Sequence, residues 1–329
     1  MAIALITLQS AAPLEIFFVD VEGGQATLIV TPERQSLLID AGYGRTSRDP
    51  DRILTAARSA GLERIDFLIA THFHSDHVGG VPELASRIAI GTFIDYGSPA
   101  GTPFGLDRMS VRGFATYESV RSRARHLPAA PGVRLPLDGV EAHVVSAGGR
   151  LLDTPLTAAV SPSASCGMLE DHAEDGTENF RSVGIALRYG AFRFVDLGDL
   201  SGNTLSRLVC PMNLIGEASV YQVAHHGNYD ANSPAVLDTL NPLAAVMSNG
   251  PTKGGHPMTL RTLRAREGLD LWQLHASRHT GADNAPDGFI ANVDDGATSH
   301  WIRLTAQADG RFTVTNDRTG LTRTYHPRP

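Results

Sequence analysis

The chain has 329 residues, 42% of them hydrophobic, with a formal net charge of −7 and a pI near 6.0. That is enough apolar material for a sizeable core. It is too acidic for tight sequence-independent nucleic-acid binding, which relies on Lys and Arg to neutralise phosphates. Lysine is almost absent, and no stretch is long and apolar enough for a transmembrane helix.

Residues 1–12 carry the apolar core and small-residue end of a secretory signal, without its positive first region. The expectation is the remnant of an export signal and a periplasmic or secreted protein. The alternative is an ordinary first strand in a cytoplasmic one. Cys166 and Cys210 suit either compartment, and spacing alone leaves their pairing open.

A β-meander follows, with strands over 14–21, 26–31 and 36–40 joined by turns at Glu22-Gly23-Gly24 and Pro32-Glu33-Arg34. A helix is predicted over 50–60, with Asp49 as N-cap, Pro50 in its first turn and Gly61 as its stop. The apolar run 66–70 reads as a buried strand, and a short helix follows near 82–89. Residues 97–135 form an insertion. Within it, Val111 to Arg125 reads as an amphipathic helix with a basic outer face of Arg121, Arg123 and Arg125, either a plain surface helix or a lid. His143 falls in an alternating strand and reads as structural. Residues 148–181 form a second long segment of low periodicity, of the kind that is usually functional or mobile.

From Ser182 strands and helices alternate again. Strands end at Gly198-Asp199 and at His225-His226-Gly227, a helix starts at Ser233-Pro234, a strand covers 244–248, and another helix covers 257–266. Three short strands close the chain over 300–326, turning at Asp309-Gly310 and Thr319-Gly320. No linker is visible, so residues 13–329 read as one α/β domain. The expected architecture is two sheets back to back with helices outside, a four-layer αββα sandwich with a helical insertion and a C-terminal β-meander.

The densest chemistry is Thr71-His72-Phe73-His74-Ser75-Asp76-His77-Val78-Gly79-Gly80. It sits at the C-terminal end of a strand, where open α/β sheets place ligands. His72 and His74 are two apart and point the same way in extended backbone. Asp76 and His77 are adjacent and cannot share that direction. Two neighbouring metal sites follow, the first on His72 and His74, the second on Asp76 and His77. Two divalent ions are expected, zinc first, with manganese or iron as alternatives. Further ligands should arrive at the same sheet edge. Asp199 is the candidate bridge and His225 the candidate ligand, with His226 its fallback or a substrate contact.

These blocks, in this order, resemble the metallo-β-lactamase-fold superfamily. The finer resemblance is to the hydrolase-like branch typified by the ComEC DNA-uptake channel. It rests on Phe18-Val19-Asp20-Val21-Glu22-Gly23-Gly24-Gln25, Leu37-Leu38-Ile39-Asp40-Ala41-Gly42, His225-His226-Gly227-Asn228 and Gly255-His256-Pro257, and spans roughly residues 14–275. The resemblance implies a two-metal hydrolase with ligands His72, His74, Asp76, His77, Asp199 and His225. Gln25 and Asn228 depart from the branch's acidic residue and serine. The extra metal-binding histidine of many superfamily members has no clean equivalent; His172, in an acidic loop, is the candidate.

A metal lowers the pKa of bound water and so supplies hydroxide at neutral pH. Asp76 is placed to orient that nucleophile or take its proton. His226, Lys253 and His256 are candidates for the acid or cation on the leaving oxygen. The Gly-rich run Ser248 to Pro257 around Lys253 allows close backbone approach to a phosphate but lacks P-loop spacing. The expected function is metal-dependent hydrolysis of a small-molecule or phosphodiester substrate. Acyl hydrolysis of a lactone or lactam is the alternative, and a metal-binding module without turnover the second.

Overall fold

Strand β1 (Leu14–Phe18) alternates in the way a sandwich requires: Leu14, Ile16 and Phe18 enter the layer between the sheets, while Phe17 packs outward with Val19 beneath helices. The structure, a computed structural model, describes residues 12–44, 46–98, 108–157, 164–169, 176–294 and 299–328. Of the export-signal expectation at residues 1–12, residues 1–11 lie outside these, as does His172.

β1, β2 (Thr27–Val30) and β3 (Ser36–Ile39) form the expected antiparallel meander. After α1 (Arg48–Ser59) the sheet turns parallel through β4 (Arg64–Ile69). The short α2 (Ser75–Val78) and α3 (Val81–Arg87) lead to β5 (Ala89–Asp95), then α4 (Arg108–Arg121) leads to β6 (Arg125–Pro128). The second sheet holds β7 (Glu141–Ala147), β8 (Arg150–Leu151), β9 (Gly184–Tyr189) and β10 (Phe192–Asp196). It continues through α5 (Gly202–Val209), β11 (Val220–Gln222), α6 (Pro234–Leu240), β12 (Ala244–Met247), α7 (Pro257–Arg264), β13 (Asp270–His275) and β14 (Ile290–Asn292). The closing meander β15 (Ile302–Ala306), β16 (Phe312–Asn316) and β17 (Thr322–Tyr325) returns to the first sheet, where β15 pairs antiparallel with β1.

The sheet orders are β17-β16-β15-β1-β2-β3-β4-β5-β6 and β14-β13-β12-β11-β10-β9-β7-β8. Phe18, Phe194 and Trp272 lie in the apolar layer between them; α1, α3 and α4 cover one outer face and α5, α6 and α7 the other. This is the αββα sandwich expected from the alternation. All the metal-motif turns leave strands at the same end of the two sheets.

Three local expectations change. Helix α1 starts at Arg48 with Ser47 at its N-cap, not at Asp49. The Asp49 carboxylate instead accepts the Tyr43 backbone N–H at 2.7 Å and Arg48 Nε at 2.7 Å, so it fixes the preceding turn. The helix α4 ends at Arg121, because Arg125–Pro128 pairs in parallel with β5 as a sheet edge. Arg121 also leaves the proposed basic face: its guanidinium bonds buried Asp95 at 2.9 Å, a carboxylate that needs a cation once desolvated. Cys166 and Cys210 form a disulfide that ties the turn Ala164–Met168 to the end of α5.

At the end of β10, buried Asp196 accepts both 2.9 Å and 3.0 Å bonds from Gln25 Nε2. An acidic residue at position 25 would set two carboxylates face to face, which gives the Gln25 departure a physical reason. Burial pushes the Asp196 carboxyl up to about 7, against bonds from Gly198 and Gln25 that pull it down. A raised carboxyl stabilises the fold in its protonated form. That stability is full below the unfolded value of 3.8 and is lost as pH rises through about 7. Asp20 (about 6) and Glu178 (about 7) act with the same sign. Asp196→Asn should therefore shrink, without removing, the fall in melting temperature between about pH 5 and about pH 8. Thermal melts in chelator check this; an unchanged fall would mean that Asp196 titrates normally.

Candidate metal centre

The chain leaves β4 at Ile69 and enters the histidine turn pinned from below. Thr71 donates its N–H and hydroxyl to the Asp40 carboxylate at 2.8 Å and 2.7 Å. Asp40, fully buried at the end of β3, also meets His77 Nδ1 at 2.6 Å. The carboxylate accepts, so Nδ1 carries the proton of the neutral ring and Nε2 is the nitrogen left to face a metal. His226 is set the same way from the other sheet. Its Nδ1 lies 3.0 Å from the Ser248 carbonyl oxygen, which only accepts, so its Nε2 is likewise the nitrogen left to face a metal.

With both rings neutral, the form that binds a metal, these two nitrogens face each other at 3.1 Å with no proton between them. Asp199 Oδ2 lies 3.2 Å from each, and Asp76 Oδ2 lies 3.2 Å from His77 Nε2 and 3.3 Å from His226 Nε2. Lone pairs and carboxylates crowded like this repel unless a metal ion or a proton lies among them. A tetrahedron with metal–ligand bonds of about 2.0 Å has edges of about 3.3 Å, which these separations match. Asp199 Oδ1 is buried without a partner, an acceptor that a metal would satisfy. The donor set of Asp76, His77, Asp199 and His226 therefore fits a divalent ion.

His72 and His74 stand beside this group. His72 Nε2 is 2.9 Å from His74 Nδ1 and 3.8 Å from Asp199 Oδ2. His225 is set apart from the four. Its Nε2 is 3.9 Å from Asp199 Oδ2 and 3.3 Å from the Asn179 amide, while its Nδ1 meets Asp230 at 3.0 Å. So of the adjacent histidines His226, not His225, joins Asp76, His77 and Asp199. The reason lies in the backbone: His225 and His226 have φ of 51° and 53°, a left-handed turn that aims neighbours in unrelated directions. That turn is held by the Gly-rich loop. Gly255 and His256 donate their N–H groups to the His226 and Gly227 carbonyls at 2.8 Å and 3.0 Å. Gly254 has φ of +67°, and a Cβ there would fall 2.1 Å from the His226 oxygen.

The charges balance by position. Burial alone would lower His77, but Asp199, Asp40 and Asp76 outweigh it and hold the ring well above the ordinary histidine value. Burial would likewise raise Asp199, yet His226, His77 and His225 hold it well below the ordinary carboxylate range. His72, facing His77 and His74, is pushed well down by burial and those neighbours. Burial also opposes the charge on His225, and Asp199 and Asp230 overcome it, leaving the ring above its usual value.

Lys253 reaches the centre from the same Gly-rich loop. Its ammonium pairs with Asp76 Oδ2 and lies 5.6 Å from the centre of the Tyr43 ring. Burial opposes its charge, but Asp76 and Asp199 hold the ammonium above the usual lysine value, so it is a cation at neutral pH. His256 does not reach the cluster. Its ring accepts the Met258 N–H at 3.3 Å as the N-cap of α7 and neighbours Tyr229 and His279. Its backbone contact with Gly227 steadies the turn carrying His226.

Sequence reasoning assigned no role to Asp40, Asn179 or Asp230. Asp40 stood in a quoted block, and its position one residue past a buried strand was the available signal. Asn179 and Asp230 gave none, because their contacts with His225 are 46 and 5 residues away along the chain and depend on how the loops pack.

The sequence model described as the Metallo-beta-lactamase superfamily matches residues 19–175, which include the whole His72–His77 turn. Over those residues the chain is similar to the metallo-β-lactamase superfamily. A ribonuclease Z from Bradyrhizobium sp. (strain ORS 278) is 34% identical over 80 residues, which is 24% of this chain and 25% of that enzyme. The matched segment is thus about a quarter of the curated relative's length. Among solved structures, the metallo-β-lactamase fold protein YhfI from Bacillus subtilis aligns over 80% of this chain and 96% of its own, at 11% identity and a TM-score of 0.48. Igni18, a metallo hydrolase from Ignicoccus hospitalis, aligns over 79% and 94%, at 12% identity and a TM-score of 0.46.

Proposed function

We propose that this metallo-β-lactamase-fold chain is a two-metal phosphodiesterase. The observation that carries the reading is Lys253. It is the only lysine in the sequence, and its ammonium is held against Asp76 at the rim of the metal-ligating cluster. A phosphoryl transition state spreads negative charge over several oxygens at once, and a fixed cation beside the reacting centre stabilises that charge. The ComEC-type resemblance and the local likeness to an enzyme named as a ribonuclease support the same substrate class.

Asp76, His77, Asp199 and His226 would hold one ion. His72 and His74, sharing Asp199, would hold the other. Zinc suits this nitrogen and carboxylate set, with manganese or iron as alternatives. Divalent ions held there supply positive charge for the phosphate and lower the pKa of water. The protein's own groups do the rest. Asp40 and the Ser248 carbonyl fix the tautomers of His77 and His226. Lys253 faces the phosphate oxygens. His225, charged and oriented by Asp230, is placed to give a proton to the leaving oxygen. The Cys166–Cys210 disulfide supports the further proposal of an exported protein, since such bonds persist in oxidising compartments; recovery of the protein only in the cytosolic fraction of its cells would contradict this.

The test is turnover of bis(p-nitrophenyl) phosphate, p-nitrophenyl phosphocholine, a lactone and a cephalosporin by metal-loaded protein. The diesters should be preferred, and Lys253→Met should lower kcat/KM for them by about 100- to 1,000-fold while metal content stays the same. Faster opening of the lactone or lactam would establish acyl hydrolysis instead. Metal binding with no turnover of any of the four would leave a binding module.

A further inference from the structure

Beside the cluster lies a cavity of about 470 Å³, lined by Tyr43, Gly44, Ser75, Gly79, Arg112 and Thr116 among others. Its volume is that of a small-molecule site. It borders the reacting centre on two sides: Ser75 precedes Asp76, and the Tyr43 ring faces the Lys253 ammonium. One wall is helix α4, and that wall is fixed. A Cβ at Gly113 would sit 2.3 Å from the carbonyl oxygen of Phe73, so only glycine lets the helix lie this close to the histidine turn. The Phe73 ring packs on Phe114 and Tyr117 at 4.7 Å and 5.6 Å, and Tyr117 donates its hydroxyl to buried Asp95 at 2.7 Å.

Arg112 and Thr116 are four apart and share one face of α4, the face that lines the cavity. Arg121, on the same helix, is consumed by Asp95 and Glu118. Arg112 is exposed, and its guanidinium has no carboxylate partner among the described residues. A guanidinium with no carboxylate partner among the described residues, over a cavity next to a hydrolytic centre, matches a phosphate, which it can hold with two parallel bonds. Between it and the metals, the backbone at Gly44 and Gly79 and the Tyr43 ring offer a low surface for a ring-sized group.

We infer that this cavity seats one ester arm of the substrate, an arm of nucleoside size, and that Arg112 reads a second phosphate on it. The inference rests on the phosphodiesterase reading and specifies its substrate. It calls for comparing the p-nitrophenyl ester of thymidine 5′-phosphate with the same ester carrying a 3′-phosphate. Metal-loaded wild type should favour the 3′-phosphorylated ester in kcat/KM by about 10- to 100-fold, the range of a charge-assisted contact. Arg112→Ala should bring that ratio close to one. Arg123→Ala removes the same charge from an exposed position outside the cavity and should keep it. A wild-type ratio near one, or a ratio that survives Arg112→Ala, overturns the inference while leaving a phosphodiesterase. Turnover of neither ester, with an active lactone or lactam substrate, overturns the phosphodiesterase reading itself and this inference with it.

Discussion

Asp199→Ala should remove both the metal and the activity, the largest loss expected from any single substitution in this protein. One oxygen of Asp199 faces His77 and His226 at 3.2 Å each, His72 at 3.8 Å and His225 at 3.9 Å. Truncating it leaves four imidazoles without the anion they share. Their lone pairs can then lower their mutual repulsion only by binding protons, which compete with metal. Losing an outer partner of a metal ligand costs about 10- to 100-fold in affinity or activity, and this group sits inside that shell. Turnover should therefore fall by more than about 100-fold, with metal content after dialysis falling alongside. Asp199→Asn keeps the size and one acceptor oxygen, so it should retain more metal than the alanine variant. Full metal occupancy in Asp199→Ala would show that His72, His74, Asp76, His77 and His226 suffice, and would remove Asp199 from the centre.

The parts of this arrangement that were legible in the sequence are those governed by short-range periodicity. The run Asp66 to Ala70 announces a buried strand, so the histidines after it had to lie at a sheet edge. The turns at Asp309-Gly310 and Thr319-Gly320 announce the closing meander. What stayed hidden depends on pairing across the chain. That β15 joins β1, 288 residues apart at the Glu15–Arg303 ion pair, follows from the edge left open by the first meander rather than from either segment. Arg121 looked like one of a basic row because its neighbours in sequence are arginines. Its true partner, Asp95, comes from a strand whose burial had to be known first. Asp40 had a positional signal, one residue past a buried strand, but its role stayed hidden for the same reason, since it reaches the far nitrogen of a ring 37 positions away.

His225 and His226 pose this problem most sharply, and they define the second expected result. Both follow strand β11, and the strand-then-ligand pattern favoured His225 as the ligand. The structure puts both residues in left-handed backbone, and the turn hands the inner position to His226. His226 is 2% exposed, with its far nitrogen bonded to the Ser248 carbonyl and its near one 3.1 Å from His77. His225 opens further to solvent and leans on Asp230, which suits moving a proton rather than holding a cation. His226→Ala should thus lose metal together with activity. His225→Ala should keep its metal while kcat/KM falls by about 100-fold or more, the usual effect of removing a general acid. A general acid also leaves a mark on the pH profile. The limb of the rate curve set by His225 should vanish in His225→Ala, and Asp230→Asn, which removes one of the charges raising that ring, should move the limb to lower pH. Metal analysis decides between the two histidines. If His225→Ala emerges stripped of metal and His226→Ala retains it, the ligand is His225, as the strand-end reading of the sequence had it, and the left-handed turn does not direct the coordination.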